Sequence, residues 1–158
     1  MLFFAHLGLA LLAARPLRSV DTTFLAIGSI LPDLIDKPLG LIIFGTMNHG
    51  RIFAHTLLFL LVLAMLAVYL QNKRLASLSA GVLTHLALDA MWNSPTILLW
   101  PLLGPFPPAD PLNTLGYLHM LLQSLRDPGI LLPECLGIAY LLYFAFEQNI
   151  CKRFNKKL

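Results

Sequence analysis

The chain has 158 residues, the length of one domain, with 58% hydrophobic and 12% charged residues and a mean hydropathy of +0.75. Soluble domains are roughly a quarter charged, so this chain cannot clothe its surface with polar groups, and lipid is its expected solvent. The net charge of +3 comes from small basic clusters, and with no glycine-rich phosphate loop, repeat or low-complexity segment, nucleic-acid binding is excluded.

Leu2 to Ala14 is apolar apart from His6, and Arg15-Pro16 closes it. At about 1.5 Å per residue it is short for a full crossing. No cationic stretch precedes it, so it reads as a retained helix rather than a cleaved signal. A second helix is expected over Thr22 to Leu31, with Asp21 as N-cap and Pro32 as its end. Leu39 to Met47 is apolar but too short to span, and reads as interfacial or re-entrant. Ile52 to Leu70 is the strongest transmembrane segment, 19 residues holding one histidine and no formal charge. Leu75 to Trp92 is the next.

Residues 93–128 hold seven of the eleven prolines and are expected to form an irregular, partly helical outer cap. A last span is expected over Gly129 to Phe146, with a basic tail in 147–158. Cys135 and Cys151, 16 residues apart, make neither a CxxC pair nor a disulfide framework and read as packing residues. The expected architecture is all-α: one integral membrane helical bundle over 1–158 with about four to five membrane-embedded helices.

Basic residues set an orientation. If the turns at 15–18 and 71–74 and the tail are cytoplasmic, eight of the eleven Lys and Arg lie inside, leaving Lys37, Arg51 and Arg126 outside. Helix directions then bring His6, Asp33, Asp36, His55, His85 and Asp89 to a similar depth near the outer, periplasmic face. Ionisable groups in membrane-grade sequence are costly and mark function. A set made only of His and Asp is most economically explained by a bound metal ion.

His85 and Asp89 are spaced i,i+4, so they share one helix face and can serve one ion or bridge two. Small residues beside them (Ala80, Gly81, Ala87, Ala90) allow close helix packing. Asp33 and Asp36 follow Pro32 at i,i+3; Asp36 also reads as a solvated residue neutralised by Lys37. In NHGRIFAHTLLF, His55 is a ligand candidate at the helix mouth, and Arg51, four residues earlier, suits a phosphate or carboxylate. Arg51 also reads as interfacial snorkelling. His49 reads as an exposed loop residue. His119, with Gln123 on the same face, reads as a further ligand or as surface. Imidazole-rich ligands favour zinc, one or two ions. Bound zinc lowers the pKa of its water from about 15.7 toward 7.

The ordered set of His6, GSILPDLID at 28–36, GRIFAHTLLF at 51–60 and GVLTHLALDAMWNSP at 81–95 resembles the YdjM-like family of LexA-regulated, membrane-bound metal-dependent hydrolases over residues 1–103. That family is distantly similar to the zinc-dependent phospholipase C and P1 nuclease group. The resemblance implies metal ligation by His6, Asp33, His55, His85 and Asp89. Two departures stand out: the family's HRG-like run is here His49-Gly50-Arg51, and the later HxxxE pair of the soluble phospholipases has its nearest counterpart in His119 with Gln123, which lacks the carboxylate. One or two ions are therefore implied rather than three.

The expected function is a multi-pass inner-membrane hydrolase acting on a phosphoester or lipid-borne ester, with Asp33, Arg51 and Asp89 as catalytic residues. Its partner would be a membrane lipid or a membrane-adjacent small molecule. The alternatives are a metal or proton transporter, since intramembrane His and Asp also line ion pathways, and a structural protein cross-linked by the same groups.

Overall fold

Three polar residues start three of the helices. Asp21 accepts from the Thr23 and Phe24 amides and opens α2 (Thr22–Pro38). Thr56 accepts from the Phe59 amide and opens α3 (Leu57–Tyr69). Asn72 accepts from the Arg74 and Leu75 amides and opens α4 (Lys73–Leu88). Each supplies an acceptor for backbone donors that the first turn leaves without one. α1 (Phe3–Ala14) precedes them, with no side-chain cap from its own N-cap residue, Leu2. The chain continues through α5 (Pro95–Leu98), α6 (Thr114–Ser124) and the long α7 (Pro128–Asn155), with 3₁₀ turns at Phe53–His55 and Met91–Asn93. This computed structural model describes residues 2–17, 19–40, 50–107 and 114–155, and all regular structure among them is helical.

The expected four to five spans need correction. Among the described residues, one helix is long and apolar enough to cross a membrane alone, Pro128–Gln148 within α7; α1 and Leu57–Tyr69 are shorter apolar helices. The apolar runs are longer than the helices they contain. His55 does not sit in the first turn of α3: it closes a 3₁₀ turn, and α3 begins at Leu57. α4 stops at Leu88, Asp89 is its C-cap, and Ala90 is left-handed at φ 50°. The site-bearing ends of both segments are thus spent on turns, leaving helices of 13 and 16 residues. At about 1.5 Å per residue neither matches a core of about 30 Å.

Pro32 was expected to end the second helix, but α2 runs through it to Pro38. Proline costs a helix one hydrogen bond without having to end it. The stretch 41–49, with His49, lies outside the described residues.

Two glycine pairs set the packing. A Cβ on Gly28 of α2 would strike the Leu78 carbonyl of α4, and one on Gly81 would strike the Leu25 carbonyl. The α1–α7 pair repeats this: a Cβ on Gly8 would strike Gly137, and one on Gly137 the Phe4 carbonyl. Backbones meet only where no side chain intervenes. Two apolar clusters fill the interior, one around Leu60, Val82, Leu86, Met91 and Ile97 and one around Ala10, Leu11, Ala14 and Leu25. Outside them, α3 exposes Leu58, Leu61, Val62 and Met65, and α7 exposes Leu132, Leu136, Leu142 and Phe146. Apolar faces of this extent suit lipid rather than water. Cys135, expected to pack, is an exposed free thiol on α7.

At the other end of α1, Arg15 donates to the Tyr143 hydroxyl at 3.1 Å and to Glu147 at 3.0 Å. The Tyr143 hydrogen bond, then the Glu147 charge, hold the Arg15 pKa above its ordinary value.

Candidate metal centre

Asp36 of α2 organises the loop that carries His55. Its carboxylate accepts from the backbone amides of Ile52 at 2.9 Å, Ala54 at 2.9 Å and His55 at 3.1 Å, and lies 2.7 Å from His55 Nδ1. It is fully buried, and a carboxylate is tolerated there only because it is so richly hydrogen-bonded. A carboxylate can only accept from the ring, so Nδ1 of His55 carries a proton, and in the neutral ring Nε2 presents a lone pair. Asp36 was expected as a ligand or as a solvated partner of Lys37. The structure places it behind His55. Lys37 reaches one helical turn back instead, to Asp33 Oδ2 at 2.6 Å.

His85, near the end of α4, lies with Nδ1 2.7 Å from the Ser29 carbonyl. A carbonyl also only accepts, so Nδ1 carries this proton too. The Gly28–Gly81 crossing sits one residue from Ser29 and one turn before His85, which is why backbone and imidazole meet.

The two remaining nitrogens, His55 Nε2 and His85 Nε2, stand 3.1 Å apart. When both rings are neutral their protons sit on Nδ1 and two lone pairs face each other in a buried site, an arrangement that a cation between them would stabilise. Asp33 Oδ1 completes a triangle, 3.6 Å from His55 Nε2 and 3.9 Å from His85 Nε2. A tetrahedral zinc site with bonds of about 2.0–2.2 Å separates its ligand atoms by about 3.3–3.6 Å. The observed edges bracket that spacing, so the donor set fits a metal ion both by chemistry and by size.

Beside this triad lies a second group. His6 is buried and its ring stacks on His85 at 4.0 Å. Its Nε2 is 3.2 Å from Asp89 Oδ1, and its Nδ1 has no hydrogen-bond partner among the described residues. Asp89 Oδ2 is 2.8 Å from an Arg51 guanidinium nitrogen. Among the described residues two groups could hold a metal: Asp33, His55 and His85, and His6, His85 and Asp89. Both use His85.

Of the residues singled out from sequence, His6, Asp33, Asp36, Arg51, His55, His85 and Asp89 converge here. His119 does not: it is exposed on α6, in neither group. Arg51 was expected on the His55 helix face. No helix extends back that far, and Arg51 turns to Asp89, 40% exposed at the rim. One buried ionisable residue was overlooked, Glu134 of α7. The signal was available: a single acid in ILLPECLGIAYLLYF is as conspicuous as Asp89.

The chain belongs to the YdjM inner membrane protein family, whose model matches residues 1–150. No curated protein and no solved structure matches it.

Proposed function

We propose that this inner-membrane protein is a metal-dependent hydrolase acting on a phosphoester or a lipid-borne ester, with zinc as the metal. The observation that carries the reading is the 3.1 Å approach of the Nε2 atoms of His55 and His85, with both Nδ1 atoms engaged by acceptors and Asp33 alongside. His55, His85 and Asp33 would hold the ion, and His6 and Asp89 stand ready to complete or extend its shell. A bound divalent ion supplies acidified water and a polarised ester or phosphoryl oxygen. The protein's own residues do the rest. Asp36 and Ser29 fix the imidazole tautomers. Arg51, partly exposed beside Asp89, binds the anionic group of the substrate. Asp89 holds the Arg51 guanidinium in place.

An apolar groove of about 300 Å³ is lined by Leu57, Leu58, Leu61, Leu98, Trp100 and Leu102. In an inner-membrane protein such a lining suits an acyl chain, which favours a lipid substrate approaching from the bilayer. On this reading the ligand-bearing end faces the periplasm and the C-terminus the cytoplasm, as the distribution of basic residues favours, with the shorter helices embedded beside α7. Transport is disfavoured by the second half of α3, which offers nothing polar before Tyr69. The buried Ser77 and Ser79 of α4 donate their hydroxyls to their own helix, and Ser77 also accepts from the Asp21 amide.

The test is hydrolysis of phospholipid and model phosphodiester substrates by reconstituted protein. Activity abolished by chelation and restored by zinc supports the reading. Zinc flux into liposomes with no hydrolysis of any substrate would favour transport instead.

A further inference from the structure

Among the described residues α7 contributes no ligand to the centre, yet it buries a carboxylate against α1. Glu134, 4% exposed, accepts from the Phe4 amide through Oε2 at 3.2 Å and from the Ala5 amide through Oε1 at 3.2 Å. These are first-turn amides of a helix whose own N-cap, Leu2, supplies no side-chain acceptor. An apolar setting offers these amides no water in its place, and the negative charge complements the positive end of the helix. His6 is the next residue along the chain. On either side of it α7 touches the α1 backbone, at Phe4 through Gly137 and at Gly8 through Gly137. The Glu134 clamp and the glycine contact therefore hold residues 4–8 as a fixed segment, with the His6 ring stacked on His85 and its Nε2 beside Asp89.

We propose that Glu134 is a positioning residue for the metal centre, acting through His6 from a helix that carries none of the ligands. The inference rests on the metal reading above and adds to it that His6 is a working ligand whose placement is set by α7. A buried carboxylate so placed has a purpose beyond capping: it fixes the helix's height against α7, and with it the depth at which His6 meets Asp89.

The test is a double-mutant cycle on the full chain in detergent, read by cobalt(II) absorption and by zinc affinity in chelator competition. The proteins are wild type, Glu134→Gln, Glu134→Ala, His6→Ala and each double variant. Glutamine keeps one acceptor, so Glu134→Gln is expected to fold and to weaken zinc about tenfold, with an altered cobalt spectrum, in line with the effect of residues that orient metal ligands. Glu134→Ala should weaken it further. In the His6→Ala background both changes should shrink to less than twofold, because the residue they act through is gone. Equal losses with and without His6 would mean general loosening of the bundle and would overturn the proposal. Zinc bound as tightly by Glu134→Gln as by wild type, with an unchanged spectrum, would overturn it too while leaving the metal reading intact. Wild-type protein that takes up no cobalt would sink both.

Discussion

The α2–α4 and α1–α7 crossings are built on one device, a pair of glycines that lets two backbones touch: Gly28 with Gly81, and Gly8 with Gly137. Each crossing then adds polar side chains that reach across to backbone, Ser77 on the Asp21 amide and Tyr140 on the Leu11 carbonyl among them, and at each one such side chain lies nearest the candidate centre. At α2–α4 that side chain is a ligand candidate itself, His85 on the Ser29 carbonyl. At α1–α7 it is Glu134, which meets the amides of Phe4 and Ala5 next to the candidate ligand His6. The first crossing fixes an imidazole directly; the second fixes a helix that carries one. Direct anchoring should tolerate less disturbance than anchoring at one remove, and the two crossings can be set against each other by mutation.

The largest effect is expected from Gly81→Ala and Gly28→Ala. Their new methyl groups would meet carbonyl backbone, which cannot rotate away as a side chain does. Overpacking ordinarily costs about 1–3 kcal/mol, and these two should reach or exceed the top of that range, seen as loss of folded protein in detergent thermal unfolding. Gly8→Ala and Gly137→Ala test whether the second crossing is as strict. Stability near wild type in those two variants would show that α7 docks loosely.

Next come the ligands. His85→Ala should abolish metal binding, because both candidate groups depend on it, whereas His6→Ala should only weaken it. Elemental analysis of the folded variants distinguishes the two. Asp36→Asn should cost about 10–100-fold in zinc affinity, since it disturbs the Nδ1 proton of His55 and the amides of the turn. An unchanged affinity would show that the His55 turn holds without it. Arg51→Ala is expected to raise KM for an anionic ester with metal content unchanged. The smallest effect belongs to Lys37→Ala. The Lys37–Asp33 pair is partly exposed and spaced i,i+4, so its loss should shift stability by no more than about 0.3–0.5 kcal/mol.

Much of this centre was legible in the sequence, and the reason is cost: His6, Asp33, His55, His85 and Asp89 are conspicuous because apolar sequence does not carry such groups idly. Roles and local geometry were harder to read. Asp36 and Asp33 look alike three residues apart, and only the fold decides that one gathers the amides of the His55 turn while the other faces the imidazoles. Segment lengths misled for a related cause. Hydropathy counts apolar residues whether they lie in a helix or in the turns that aim a ligand, so Ile52–Leu70 looked like a full span although its first residues form the His55 turn. Glu134 escaped because it stands alone in sequence; its partners are two backbone amides some 130 positions away, and backbone donors leave no mark in a list of side chains.

The most direct measurement is the transition-metal content of purified wild-type and His85→Ala protein, with folding checked by thermal unfolding. Close to one tightly held ion per chain is expected in the wild type and essentially none in the folded variant. A wild type without metal, or a folded His85→Ala protein with its full complement, would rule out a metal centre built on His85.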